Sequence, residues 1–450
     1  MEMSFVDVFT QGVIRFNAFL WGVPMMALIV GTSLYFTWKL KFIQRHLPSA
    51  ILLSARKSES AGAISSFGAL VLALAAMVGT GNIVGVAAAI STGGPGALFW
   101  MILSAFFAMA TKYAEAVLAV KYREKNKQGE YVGGPMYVLK NGLNMTKTAA
   151  VFAAATALMG FADALMQTNS LVAIYGSVFS APAWMTTGIL IILTALVILG
   201  GVKKIASVCK WLVPVMALLY ILFCLGIICS HLTSLPWALA CIVKSAFTGT
   251  AILGGAVGIT IKEAVRYGVS RGVLSNEAGS GSGAIAAAAA QTPNSVRQGL
   301  VSASTVFWDT LVICLLSGVA VVIAGDWQSG KLFGAELAQS AFRSLPGGPY
   351  LLLSSLTLFA FSTLVGWSYY TAKSVQFFIP GRVEKTVYGL WLVVMCVGGF
   401  LSPKLVWELA DTAIAFMCLP NLLALWLLRK EVWSETKAHL PGELAAAVKK

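Results

Sequence analysis

The chain alternates long runs of apolar residues with short polar segments, and most of the apolar runs are close to twenty residues long. A helix of that length spans the hydrocarbon of a bilayer. Ten runs follow this pattern: 12–38, 65–90, 96–120, 149–175, 184–200, 211–230, 298–323, 349–378, 386–401 and 406–428. Residues 245–291 are also apolar, but glycines and charges interrupt them, so they predict one further, broken span. The pattern therefore predicts an all-α polytopic membrane protein with eleven transmembrane helices.

The second apolar run is interrupted at its centre by residues 79–82, of sequence GTGN. In lipid a helix is broken only where protein or a polar cavity covers the freed backbone groups. Close helix packing is one explanation, because Gly81 and Gly85 have small-xxx-small spacing. Thr80 and Asn82 favour a binding site instead, because burying a side-chain amide without polar partners costs free energy. We therefore expect Asn82 to be a ligand.

A similar interruption occurs in the second half of the chain, where glycines lie at positions 279, 281 and 283. Inverted-repeat transporters carry interrupted helices at corresponding positions of their two halves, with substrate and ions bound between them. The glycines at 268 and 272 offer an alternative position for this break. The sequence thus predicts a second broken helix whose unwound turn lies between residues 268 and 283.

The spacing of polar residues supports a repeat. Asn82 precedes the polar pair Gln167 and Asn169 by about 85 residues, and Gly281 precedes the hydroxyl pair at 362 and 363 by about 81. The alternative break at 268–272 gives a spacing above 90. Each half would then pair a broken helix with a polar-centred one.

Basic residues are distributed unevenly between the two sets of loops. One alternating set holds 21 of the 32 Lys and Arg residues: 39–64, 121–148, 201–210, 379–385 and 429–450. The opposite loops hold only Lys244, Lys331, Arg343 and Lys404. The positive-inside rule places the richer set in the cytoplasm, so we expect an external N-terminus and a cytoplasmic C-terminus. The net charge of +14 then indicates orientation and contact with anionic membrane lipid, not nucleic-acid binding.

With 58% hydrophobic and 11% charged residues, the composition leaves little room for enzyme chemistry. The seven cysteines have no CxxC spacing, and the histidines at 46, 231 and 439 lie in loops or the tail. Residues 279–283 fail the GxSxG nucleophile pattern, and GTGNIVG misses the dinucleotide GxGxxG. We expect no enzyme activity, no cofactor and no metal other than a coupling ion. The pattern indicates no oligomeric state.

Several charged residues fall within predicted spans, among them Lys112, Glu115, Asp163, Asp309 and the pair Glu408 and Asp411. Lys112 and Glu115, at i and i+3, are expected to neutralise each other as a structural pair. Asp163 and Asp309 are functional candidates, because either could carry a proton through the membrane. Proton coupling therefore stays open beside sodium coupling.

Two stretches carry a likeness to a known family. Residues 93–101 read GGPGALFWM, and residues 275–279 read SNEAG after the segment RYGVSRG at 266–272. They resemble the signatures of the alanine or glycine:cation symporters, also called sodium:alanine symporters, which share the LeuT-type fold. Ile102 and Ala108 depart from the family pattern, but both lie on a scaffold helix.

The resemblance extends from about residue 10 to about residue 430. It implies sodium-coupled symport of small neutral amino acids, such as alanine or glycine, by alternating access. The host membrane would be the plasma (inner) membrane of a bacterium or archaeon. The implied fold is a five-plus-five inverted repeat with an added N-terminal helix. Its parts are 1–64 (peripheral helix and loop), 65–230 (first repeat), 231–428 (second repeat) and 429–450 (cytoplasmic tail).

The resemblance also implies ligand positions. Amides near the first break would hold the substrate carboxylate, with further contacts from the facing helix, an indole wall and the second break: Thr80, Gly81, Gln167, Trp367 and Gly281. Two sodium sites would use carbonyls, an amide and hydroxyls: Met77, Asn82 and Thr305 for one, Ala75, Val78, Ser362 and Thr363 for the other.

Neutral oxygens of this kind suit a weakly charged hard cation that must be released in each cycle. Helical Ser and Thr hydroxyls often bond only to the preceding turn, which is the alternative for Ser362 and Thr363. Two functions compete at this point, a sodium symporter and a proton-coupled transporter of the same fold, and a membrane-embedded enzyme is the alternative with the least support.

Overall fold

The computed structural model describes residues 5–56, 60–127, 129–248, 260–401 and 403–448. These residues form twenty α-helices: α1 (Phe5–Leu20), α2 (Val23–Lys39), α3 (Leu47–Ala55), α4 (Ser66–Met77), α5 (Val84–Gly93), α6 (Gly96–Lys121), α7 (Pro135–Tyr137), α8 (Thr146–Phe179), α9 (Ala183–Ile198), α10 (Gly201–Ser230), α11 (Leu235–Thr248), α12 (Ile261–Asn276), α13 (Gly283–Ala288), α14 (Ser295–Val306), α15 (Leu315–Ala324), α16 (Ala335–Phe342), α17 (Gly348–Phe378), α18 (Glu384–Gly398), α19 (Pro403–Leu427) and α20 (Arg429–Val448).

Short elements connect these helices. Tight 3-10 turns lie at Ile43–His46, Thr80–Asn82, Leu232–Ser234 and Asp326–Ser329, and π-helical segments lie at Val138–Gly142 and Phe307–Cys314. Four strands of two residues each are β1 (Ile64–Ser65), β2 (Glu124–Lys125), β3 (Tyr131–Val132) and β4 (Ala290–Gln291). The strands β1 and β4 pair in parallel, and β2 and β3 pair as an antiparallel hairpin.

Among the described residues, six helical segments are long and apolar enough to cross a membrane. They are α6, α8, α10, Ser295–Ala324, α17 and Leu405–Leu427. The bent pairs α1–α2 and α4–α5 raise the number to eight if each pair is one span. The predicted all-α membrane class is confirmed, whereas the number eleven stays a prediction.

The first predicted span, 12–38, is not one straight helix. It divides into α1 and α2, which meet at an angle of 45°. Pro24 lies in the first turn of α2, where its missing N–H is tolerated, but it cannot continue the preceding helix. The residues between 230 and 245, which we expected to form a loop, contain most of the apolar helix α11. Residues 249–259 of the predicted interrupted span lie outside the described residues.

The packing brings elements of the two halves of the chain together. Helix α8 packs against α17, α18 and α19, and α6 packs against α12 and α14. Both α10 and α17 pack against α4. All twelve residues of α14 are buried, as expected of a helix surrounded by other helices. The two broken helices therefore lie within the packed interior.

Both predicted breaks are present. The first separates α4 from α5, whose axes differ by 65°. The second lies at residues 277–282, between α12 and α13, and includes Gly281 in the left-handed region with φ +77°. Gly268 and Gly272 lie inside the continuous helix α12, so the alternative position for this break is wrong.

Candidate functional site

The turn between α4 and α5 is closed by one of its own side chains. The N–H of Gly79 donates to Oδ1 of Asn82 at 2.9 Å, which closes the 3-10 turn Thr80–Asn82. The carbonyl end of α4 and the N–H end of α5 therefore meet at one point inside the protein. A helix macrodipole favours a cation at the first of these ends and an anion at the second. The break can thus serve two ligands of opposite charge.

Helix α17 brings two hydroxyls to the carbonyl end of α4. Ser362 and Thr363 donate to the carbonyl oxygen of Val78 at 3.3 and 3.2 Å. Both hydroxyls also donate to Phe359 O in the preceding turn, at 2.8 and 2.9 Å. The hydrogen bond within α17, which was the alternative to a ligand role, therefore exists beside the contact with the break. Ala75, fully buried, lies in the last turn of α4. The structure therefore brings together three of the four groups that the family resemblance implied for one cation site.

The amide nitrogen of Asn82 points in another direction, toward a second polar group. It donates to Oδ1 of Asp309 at 2.7 Å and to Oγ of Ser275 at 3.1 Å. Oδ2 of Asp309 accepts from Ser275 and from Thr310, each at 2.7 Å. We call Asn82, Ser275, Asp309 and Thr310 the carboxylate cluster. Its oxygen atoms are the kind of ligand that hard cations prefer.

Sequence reasoning found only part of the carboxylate cluster. It identified Asn82 as a ligand and Asp309 as a buried charge, but it did not join them. Ser275, the first residue of the SNEAG segment, was missed as a site residue. Asp309 lies in the π-helical segment Phe307–Cys314, a rare distortion that is frequent at functional sites.

Gln167 links α8 to the first break. Its Oε1 accepts from the N–H of Thr80 at 3.4 Å and from the Thr80 hydroxyl at 3.0 Å. Its amide nitrogen donates to Oδ1 of Asp163 at 2.9 Å, whereas Oδ2 of Asp163 has no hydrogen-bond partner among the described residues. The position of Gly81 leaves space, because no atom lies within 4 Å of a Cβ built there.

Three further predicted ligands are buried, and two of them are held by other contacts. Met77 is buried at the end of α4. Trp367 is 2% exposed and lies edge-on to Tyr370 with ring centroids 5.4 Å apart. Thr305 donates to Ser302 O within α14 at 2.7 Å.

Gly281 contrasts with Gly81. A Cβ built at Gly281 would collide with Pro135 and with Oδ1 of Asn421, the latter at 2.7 Å. Protein atoms therefore fill the space beside Gly281, and its predicted contact with substrate would have to come from its backbone.

The buried charges of α6 lie at the second break and do not bond each other as predicted. Lys112 donates to the carbonyls of Asn276 and Glu277 at 3.0 and 3.2 Å. Glu115 lies on the other side of the turn, where its Oε1 accepts from the N–H of Gly279 at 2.7 Å and from Nδ2 of Asn421 at 2.8 Å. The expected Lys112–Glu115 pairing is wrong because the uncapped groups of the second break need these partners.

Comparison with known proteins decides the identity of the fold and of the family. The model of the sodium:alanine symporter family matches residues 6–445. The chain belongs to this family. The sodium/alanine symporter AgcS of Methanococcus maripaludis is 43% identical over 436 residues, covering 94% of this chain and 95% of the relative. The putative sodium/proton-dependent alanine carrier protein YrbD of Bacillus subtilis is 36% identical, covering 92% and 89%.

A solved structure supports the architecture of the symporter. The crystal structure of MhsT in complex with L-phenylalanine matches with a TM-score of 0.60 at 13% identity, covering 87% of this chain and 99% of that chain. The likeness shows a LeuT-type fold. The chain is thus a membrane-spanning transporter and not an enzyme, as predicted. Its family implies an amino-acid substrate and sodium as coupling ion.

Proposed function

We propose that this symporter couples the uptake of small neutral amino acids, such as alanine or glycine, to sodium by alternating access. The observation that carries the proposal is the meeting of Ser362, Thr363 and Val78 O at the carbonyl end of α4. Three uncharged oxygens beside a negative helix end attract a monovalent cation without holding it permanently. Together with Ala75, they form the proposed sodium site between α4 and α17.

The substrate carboxylate would lie at the other end of the break. The N–H groups near Thr80 and Gly81, at the start of the second half-helix, favour a negative group. In the structure the N–H of Thr80 is bonded to Gln167, so a bound carboxylate would take the place of the Gln167 oxygen. Trp367 supplies a rigid wall that favours small side chains. Gly281 and Thr305 stay predicted ligands of the substrate and of sodium.

The carboxylate cluster is the proposed second cation site, with the carbonyl of Met77 beside Asn82. A carboxylate such as Asp309 can bind sodium or a proton, and this favours a second candidate function, proton coupling. Asp163, whose Oδ2 is unpartnered among the described residues, is the other possible proton carrier. The relative YrbD is described as a putative sodium/proton-dependent carrier.

For the whole chain we propose the five-plus-five inverted repeat, with 65–230 and 231–428 as its halves, 1–64 as a peripheral part and 429–450 as the tail. The distribution of basic residues supports an external N-terminus and a cytoplasmic C-terminus. The proposed location is the plasma membrane of a bacterium or archaeon, where the positively charged loops contact anionic lipid headgroups.

Uptake measurements with purified protein in liposomes test the function. Labelled alanine and glycine are supplied under an inward sodium gradient, an inward proton gradient or neither, and unlabelled serine and glutamine serve as competitors. We expect accumulation that requires the sodium gradient and is strongest for alanine or glycine. Uptake driven by protons in the absence of sodium would support the second candidate, and no uptake of any amino acid would contradict both.

The change Asp309→Asn separates the two coupling ions. If the carboxylate cluster holds sodium, losing the charge should raise the sodium concentration for half-maximal uptake at least about tenfold, or about 1.4 kcal/mol of binding free energy. Asp326→Asn is the matched control, because Asp326 is exposed in a turn. An unchanged sodium requirement in Asp309→Asn would remove this cluster from the proposal.

A further inference from the structure

The two half-helices α4 and α13 are joined at the ends that lie away from the breaks. Strand β1 directly precedes α4, and β4 follows α13 after Ala289. The strands pair in parallel, with Ile64 opposite Ala290 and Ser65 opposite Gln291. A pairing of two residues on each strand is too short to form a stable sheet by itself. It does place the chain leading into the first broken helix against the chain leaving the second.

Further hydrogen bonds reinforce this junction. The N–H groups of Ala63 and Ile64 both reach the carbonyl of Ala289, at 2.9 and 3.2 Å. The Ser66 hydroxyl donates to Gln291 O at 2.9 Å. The backbones approach so closely that a Cβ at Gly62 would lie 2.5 Å from the carbonyl carbon of Ala290, a distance that only glycine allows.

Arg123 completes the junction from a third element, the segment that follows α6. Its Nη1 donates to the carbonyls of Ala288 and Ala290 at 3.1 and 2.8 Å, and its Nη2 donates to Ala61 O at 3.2 Å. The guanidinium group lies over the ring of Tyr131, 4.2 Å from its centroid. One rigid, permanently charged fork therefore bonds carbonyls from both sides of the junction.

We propose that β1, β4 and Arg123 form a clasp that makes α4 and α13 move as one body during transport, with Arg123 as its positioning residue. The inference rests on the proposed function, because it concerns how the transporter opens. Parting the two half-helices would take the N–H groups of Ala63 and Ile64 away from the carbonyl of buried Ala289, and losing hydrogen-bond partners is costly in a protein interior. A path toward the side of the clasp therefore opens beside the joined pair, and not between its members.

A reversible covalent lock tests the clasp. Ile64→Cys with Ala290→Cys places two thiols on neighbouring parallel strands, at a spacing that a disulfide can bridge. Uptake of labelled alanine into liposomes is compared in the oxidised and reduced states, with peptide mass spectrometry to confirm the bond. Each single substitution, treated with the same oxidant, controls for the seven native cysteines.

We expect the oxidised pair to keep at least about half of the uptake rate of the reduced pair. A loss of more than about tenfold that reductant restores would show that the half-helices must part, and would overturn the clasp. The reduced pair serves as the reference. If it transports and the oxidised pair does not, the clasp fails while the proposed function stands. If wild-type protein takes up no amino acid, the proposed function itself fails.

A rescue experiment tests the role of Arg123. Arg123→Ala should slow uptake at least about fivefold at saturating alanine while leaving KM within about twofold, and the disulfide between positions 64 and 290 should restore most of the rate. Lys125→Gln is the matched control, because Lys125 is a neighbouring exposed cation that also lies over Tyr131. If the disulfide forms in Arg123→Ala and does not restore uptake, Arg123 acts otherwise and the proposal is wrong. If Arg123→Ala does not fold, the disulfide between positions 64 and 290 in the protein that keeps Arg123 still tests whether the two half-helices move as one body.

Discussion

The two helix breaks have similar backbones but different partners. At the second break, buried charges of the chain itself occupy the freed groups: Lys112 bonds two carbonyls at the end of α12, and Glu115 accepts the N–H of Gly279. At the first break, neutral groups take the corresponding positions. Hydroxyls from α17 donate to Val78 O, and Oδ1 of Asn82 accepts from the N–H of Gly79.

This difference separates support from binding. When the free backbone groups of a break are bonded to fixed charged side chains, they already have hydrogen-bond partners, so a small ligand would gain little by binding there. A break capped by neutral hydroxyls and an amide can exchange those partners for an ion or a carboxylate at low cost. We therefore expect damage to the second break to lower stability, and damage to the first to alter transport.

The largest expected effect is at the second break. Lys112→Met removes a buried cation and leaves the α12 carbonyls and nearby carboxylates unpaired, which should lower stability by about 3–5 kcal/mol. The measurement is the temperature at which detergent-purified protein loses its monodisperse elution peak. Lys147→Met, which changes an exposed cation on α8, is the control. A Lys112→Met protein as heat-resistant as the wild type would remove the contrast between the breaks.

The next effect is at the first break. The double change Ser362→Ala with Thr363→Val removes both hydroxyls from Val78 O and should raise the sodium concentration for half-maximal uptake at least about tenfold, or about 1.4 kcal/mol. Thermal stability should change much less than in Lys112→Met. Ser368→Ala is the control, because that buried hydroxyl bonds Val365 O in the same helix. Equal sodium requirements in both proteins would argue against the proposed sodium site.

A smaller effect is expected at the substrate side of the first break. Gln167→Asn shortens the side chain, so it can no longer reach both Thr80 and Asp163. In the proposed site Gln167 contacts the substrate, and losing one hydrogen bond to it costs about 1 kcal/mol, so KM for alanine should rise about three- to tenfold with an unchanged sodium requirement. Ser170→Ala, which affects a local bond to Met166 O in the same helix, should leave KM unaltered. A change in sodium requirement alone would move Gln167 from the substrate to the ion.

The smallest effect is expected at Glu431, and it shows how much a partly exposed ion pair contributes to folding stability. Burial opposes ionisation of Glu431, but hydrogen bonds from Lys121 and Tyr122 outweigh it and lower the pKa of this carboxyl from 4.5. Glu431→Gln should cost no more than about 1 kcal/mol at pH 7, because the pair is partly exposed. A lowered pKa stabilises the folded state fully above 4.5, and this contribution is lost as pH falls through the lower folded value.

The thermal midpoints of Glu431→Gln and wild type should therefore converge progressively as the pH falls below 4.5. Glu336→Gln, at an exposed carboxylate of α16, provides the comparison. If Glu431→Gln lowered thermal stability as much as Lys112→Met, burial would not explain why the second break is sensitive to the loss of a charge.

Much of the first break was predictable because its residues are close in sequence. GTGN lies in an otherwise apolar run, and hydrocarbon gives a helix no reason to break without a polar neighbour. The pairing of this turn with Ser362 and Thr363 was implied by family resemblance and agrees with the contact to Val78 O. Ser275 could not be found this way, because it contacts Asp309 across 34 positions.

The sequence alone determined the membrane class, the position of the first break and the family, because hydrophobic run length and short motifs are local properties. The tertiary structure decided which buried charge meets which break. Lys112 and Glu115 are neighbours on one helical face, yet they do not bond each other. Lys112 bonds an uncapped carbonyl of α12 and Glu115 bonds the N–H of Gly279, because these backbone groups have no partner within a helix. The same holds for the clasp, since Arg123 reaches carbonyls that lie 62 to 167 positions away along the chain.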